Sequence, residues 1–70
     1  MEAYKQRMIN EYNELKERQM KLGDMLLAYS KNELDFEPTC PITLLETQWC
    51  TMTTYRNILK LRAEIEGIEL

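Results

Sequence analysis

Seventy residues limit the chain to one domain, and a lone two-helix hairpin of that size buries too small a share of its surface to stand comfortably alone, so self-association is the expectation. A net charge of −3, with nine basic residues against twelve acidic ones, argues against a dedicated binder of DNA or RNA, which carries a basic excess on one face. Histidine is absent, which removes the commonest general base and metal ligand and leaves no Ser–His or Cys–His nucleophilic pair.

The first helix is expected from about Glu2 to Tyr29. Met1, Met8, Leu15, Leu22 and Tyr29 recur every seven residues, and Tyr4, Tyr12, Met25 and Leu26 widen the stripe. Gly23 inside this helix costs about 1 kcal/mol against alanine, so it marks either a close approach by a partner or a slight kink, and because Met25 and Leu26 continue the pattern beyond it, close approach is the expectation.

Residues 30–40 lose the period and collect Asn32, Asp35, Glu37 and Pro38, which reads as the turn-back, with Leu34 and Phe36 folding over the open end. The second helix is expected over 41–66. Pro41 suits a first helical position, and Thr43 with Glu46 offers a second possible start as a capping box. Gly67 is placed to take a left-handed capping conformation, with Ile68 closing back on the helix. This helix has two apolar faces. Leu45, Met52, Tyr55 and Leu59 can meet the first helix, while Leu44, Ile58, Ile65 and Leu61 lie to the side with Trp49 near their edge, and a hairpin has one partner helix to offer. The fold expected is therefore all-α: one hairpin domain over residues 1–70 that assembles into a homo-oligomeric helical bundle.

Cys40 and Cys50 are ten residues apart. On one helix that is about 15 Å, beyond disulfide reach, and two unpaired thiols suit a reducing cytoplasm. Met1 to Tyr12 is charged from Glu2 onward, unlike a signal peptide, and no apolar run approaches the roughly 20 residues of a membrane span. A soluble intracellular protein without cofactor or metal is the expectation. With Gly23 and Gly67 the only glycines, no Gly-rich phosphate loop exists. Cys40 near a helix start is a candidate reactive thiol, but it has no resolving cysteine or base, and a small residue opening a helix is the simpler reading.

Chemistry is left to Arg18, Lys21, Gln48, Tyr55 and Arg62, with Tyr12 and Arg7 behind them. Taken singly, each has a structural role: Arg62 pairs with Glu11, Gln48 caps or bridges a helix, and Tyr55 is core with its hydroxyl at the edge. Taken together, they offer cationic groups for phosphate, an amide for a base edge and tyrosines to stack on a purine, as a site for a small anionic nucleotide shared between subunits.

The chain resembles a family of short phage and prophage proteins with a basic residue, then E-x-x-E-L-x-x-R/K-x-x-K-L, a linker, and L-L-x-x-Q-x-x-x-M-x-x-Y-x-x-I/V-L-x-x-R. Here these are Arg7, Glu11, Glu14, Leu15, Arg18, Lys21 and Leu22, then Leu44, Leu45, Gln48, Met52, Tyr55, Ile58, Leu59 and Arg62. In size and hairpin form it also resembles the helical sponge proteins by which phages sequester the nucleotide messengers of CBASS or Thoeris immunity. That resemblance implies non-enzymatic binding of a cyclic oligonucleotide or cyclic ADP-ribose type messenger at subunit interfaces, in the host bacterial cytoplasm, with no nucleic-acid polymer and no membrane as partner. Two other classes compete. One is a protein-binding module or inhibitor of a host defence enzyme, anchored by Trp49 and the second face of helix two. The other is an all-helical enzyme that, like the helical chorismate mutases, stabilises an anionic transition state with Arg, Lys and Gln alone; the chain lacks that family's opening motif and is short for it.

Overall fold

The computed structural model describes residues 2–70. Two helices, α1 (Ala3–Ser30) and α2 (Ile42–Glu66), pack antiparallel into a rod of 44 × 18 × 17 Å. The long dimension is that of α1 itself, since 28 residues at 1.5 Å rise give about 42 Å. Met1, the first member of the expected stripe, lies outside the described residues.

Leu, Met, Glu, Gln, Lys and Arg fill most of α1, all strong helix formers, and Gly23 is its poorest. The helix ends in a way composition alone did not indicate. Asn32 takes φ 62°, and the backbone N–H groups of Asn32 and Glu33 return to the carbonyls of Tyr29 and Ala28 at 3.0 and 2.8 Å, the double closure of a Schellman end with asparagine in the left-handed position usually held by glycine. At the far end of α2, Gly67 (φ 68°) does the same: its N–H reaches Glu64 O at 3.3 Å, Ile68 N–H reaches Ala63 O at 2.8 Å, and Ile68 is buried against the helix it closes.

The start of α2 differs from expectation. Pro41 caps the helix rather than opening its first turn, and no side-chain cap forms, so the Thr43–Glu46 box is not used. Four threonines of this helix instead donate their hydroxyls to carbonyls one turn back, Thr47 to Thr43, Thr51 to Thr47, Thr53 to Trp49 and Thr54 to Cys50, at 2.8–3.3 Å. β-Branched residues make a poor isolated helix, so α2 depends on packing for its order.

Packing follows an antiparallel heptad seam. Met8, Tyr12, Leu15, Gln19, Leu22 and Leu26 of α1 alternate in steps of four and three, and all are buried or half-buried. They meet Leu45, Trp49, Met52, Arg56, Leu59 and Ala63 of α2, spaced by the same rule. The apolar core sits at the end of the rod holding both termini: Met8, Tyr12, Leu59, Ala63 and Ile68, with Ile9 and Leu15 packed against them, and Leu59 wholly enclosed. Tyr4 and Tyr29, expected in the stripe, are 43% and 44% exposed: the seam's steps pass Tyr4 and reach Lys5, whereas Tyr29 is the next step after Leu26 but stands in the last turn of α1. Leu34 is half-buried over the linker end, whereas Phe36 stays largely exposed.

Candidate functional site

Midway along the rod the seam turns polar. Among the described residues Gln19 is the one buried polar residue, 3% exposed, and its amide serves two partners on α2. Its Nε2–H donates to Thr53 Oγ1, and its Oε1 accepts from Arg56 Nη1 at 2.8 Å. Arg56 Nη2 also donates to the Tyr12 hydroxyl at 3.4 Å, with the guanidinium carbon 5.6 Å from the centre of the tyrosine ring. Arg56 Nε is buried without a partner. The Arg56 hydrogen bond, followed by the Arg56 and Lys60 charges, holds the Tyr12 phenol below its ordinary value near 10, against the opposing effect of burial.

Beside this layer Trp49 lies across Gly23. A methyl group built on Gly23 would stand 2.9 Å from the indole Nε1, so the close approach expected at this glycine comes from the chain's own second helix. Gln19, Met20, Gly23, Asp24, Trp49 and Arg56 surround a groove of about 230 Å³ here. A second groove of about 350 Å³ lies at the linker end, where Gln48 faces Leu22, Met25, Phe36 and Leu45.

Of the seven residues singled out from the sequence, Arg7 is exposed near the start of α1, and the other six divide three ways. Tyr12 is in the core, bound to Arg56. Lys21 sits on the outer surface of α1 in an ion pair with Glu17 at 3.1 Å, one turn away. Arg18, Gln48, Tyr55 and Arg62 are exposed and share one long edge of the hairpin, each at the heptad position preceding a seam residue: Gln19, Trp49, Arg56 and Ala63. Helical rise spreads this edge over about 20 Å, with Arg18 and Gln48 toward the linker and Tyr55 and Arg62 toward the termini.

Tyr55 is not core. It is 39% exposed and donates its hydroxyl to Glu11 across the edge, and that bond, ahead of desolvation, raises its phenol above the ordinary value. Glu11 is thereby engaged by Tyr55, and among the described residues the only ion pair is Lys21–Glu17, so the expected Arg62–Glu11 pair is not formed. Gln48 makes no hydrogen bond to a helix end. Arg56 and Gln19 escaped the sequence reading because they occupy the apolar seam itself; the three–four spacing that includes both was the available signal. Both cysteines are free and exposed, and among the described residues no group of three metal-ligating side chains forms.

A family model described as Sequestin matches residues 2–65, which takes in α1, all but the last residue of α2, the polar layer and the shared edge, and the chain belongs to that family. The family's name points to the sequestering of a ligand or partner. No curated protein and no solved structure matches the chain.

Proposed function

We propose that this Sequestin hairpin sequesters a nucleotide immune messenger of the cyclic-oligonucleotide or cyclic ADP-ribose type, binding it without cleavage as a phage anti-defence protein acting in the host bacterial cytoplasm. The observation that carries this reading is the family match over residues 2–65, which spans the whole edge bearing Arg18, Gln48, Tyr55 and Arg62. Exposed guanidinium groups suit phosphate oxygens, a phenol ring suits a base face, and an amide suits a base edge. The mechanism is mass action. A binder present above its dissociation constant and above the messenger's concentration lowers free messenger below the threshold of the effector it would activate, with no turnover.

The test is native mass spectrometry of the purified protein with a panel of cyclic dinucleotides, cyclic trinucleotides and cyclic ADP-ribose isomers, followed by heat release and chromatography of the bound molecule. The expected result is one messenger class retained and recovered intact. Recovery of a cleaved product would make the protein an enzyme. Retention of no nucleotide by an intact, folded preparation would reject the messenger reading in favour of a protein-binding module or inhibitor of a host defence enzyme, the reading favoured by the exposed Leu61 and Ile65 of α2.

A further inference from the structure

The face of α2 turned away from α1 repeats the seam. Leu44, Thr47, Thr51, Thr54, Ile58, Leu61 and Ile65 run in unbroken steps of three and four, offset by two residues from the inner seam, which turns them about 160° round the helix. All seven are exposed; Ile58, Leu61 and Ile65 are so by 48%, 58% and 85%. The three threonines belong with them. Each hydroxyl is spent on a carbonyl of its own helix, which leaves the methyl groups as the outward surface. A second strip with this period fits a helix and not a flat surface.

We infer that this strip docks on the same strip of a second copy, α2 against α2 and antiparallel, and that the contact joins the polar edges of the two chains into one two-fold site. The area supports a second copy as the occupant. The chain exposes 5434 Å², about 800 Å² more than a compact protein of 8.4 kDa, and about 800 Å² per partner is what a standard specific interface covers.

Direction follows from charge and side-chain size. A parallel pair would set the acidic ends of α2, with Glu64, Glu66 and Glu69, side by side, and would stack threonine on threonine through three layers. In the antiparallel pair that covers Ile65, Thr47 faces Ile65, Thr51 faces Leu61 and Thr54 faces Ile58 of the second copy, so every threonine methyl meets an aliphatic side chain. The alternative antiparallel register, one heptad away, sets Thr51 on Thr54 and leaves Ile65 uncovered.

Gln48, Tyr55 and Arg62 directly flank this strip on the side of the shared edge. The chosen register brings Tyr55 to Tyr55 at the two-fold axis and Gln48 to Arg62 of the second copy on either side. The groove so formed holds two guanidinium groups, two phenols and two amides in symmetric positions. Resting on the messenger reading, it fits a ligand that carries two phosphate groups, one for each Arg62.

Sedimentation equilibrium across a micromolar range, without ligand, should give a dimer, and Ile58→Asp should give a monomer that keeps its helical circular dichroism. In a background with Cys40→Ser and Cys50→Ser, Asn57→Cys should form a disulfide-linked dimer under mild oxidation, because Asn57 meets its own equivalent across this axis, whereas Thr47→Cys should not. A monomeric parent protein overturns the inference, and so does a dimer cross-linked by Thr47→Cys and not by Asn57→Cys. If the dimer forms and cross-links as expected but retains no nucleotide, the messenger reading falls and the interface stands. If nucleotide is retained, a stoichiometry of one per dimer is expected, and one per chain overturns the joint site.

Discussion

Replacing the polar layer at the centre of the seam tests whether it is what fixes the hairpin's register. Gln19→Leu, Arg56→Leu and the double variant form a cycle in which the hydrophobic gain of each leucine cancels. Arg56→Leu leaves the Gln19 carbonyl oxygen enclosed at 3% exposure with no donor, a desolvation cost of about 1–3 kcal/mol. Gln19→Leu removes the acceptor of the 2.8 Å bond from a charged group, worth about 1.5–3 kcal/mol, beside an Arg56 Nε that already lacks a partner. Thr53 loses little, because its hydroxyl still reaches the Trp49 carbonyl at 3.1 Å. The double variant removes donor and acceptor together and is expected near the parent's stability or above it. Urea titration followed by far-ultraviolet circular dichroism, at one fixed protein concentration, should therefore yield a coupling of at least about 2.5 kcal/mol between the two sites, the sum of the two single costs that the double variant escapes. A coupling below about 0.5 kcal/mol would refute the reasoning, since independent sites add to within that margin. The double variant should also show weaker register specificity, as broadened or duplicated amide resonances, because a polar layer is the one part of the seam that a one-heptad slip cannot satisfy.

Gly23→Ala gains about 1 kcal/mol of helix propensity but places a methyl group against the Trp49 indole edge, so the melting transition should move little while the emission of the single tryptophan shifts to longer wavelength as the ring swings outward; an unchanged spectrum would refute the contact. Titration of tyrosinate absorbance should show Tyr12 ionising below the ordinary value near 10 and Tyr55 above it. By linkage, Tyr12 adds stability as pH climbs from its lowered value to about 10, while the Tyr55–Glu11 bond contributes below about 10 and is lost as pH rises through the raised value, so Tyr12→Phe and Tyr55→Phe should change the alkaline arm of the pH–stability curve in opposite directions. Arg18→Ala and Arg62→Ala should each weaken messenger binding, measured by calorimetry, by about 1.5–3 kcal/mol per charged hydrogen bond lost. Among the described residues neither arginine has an ion-pair partner, so the thermal melt should be unchanged; a melt lowered along with binding would assign them a structural role instead.

The sequence by itself determined the two helices, the turn between them and the closure at Gly67, because these depend on local properties: a seven-residue apolar recurrence, a proline that cannot continue a helix, and a glycine free to take positive φ. It also showed that α2 carries two apolar faces. The tertiary structure alone decided which residues of the stripe reach the interior. Tyr12 and Tyr55 read alike in sequence, yet one is buried against Arg56 and the other stands at the edge on Glu11, because a rotation of one heptad position separates seam from flank. Arg56 and Gln19 were invisible as a pair for a related reason. Their charge and amide mark them as surface residues until the opposing helix supplies each with the other, and a buried polar group is tolerated only where that partner is within hydrogen-bonding distance. The same pairing across the seam sets the register that brings Arg18 of α1 onto the edge that Gln48, Tyr55 and Arg62 already share through their seven-residue spacing on α2, and that step between two helices is one no periodicity within either helix can specify.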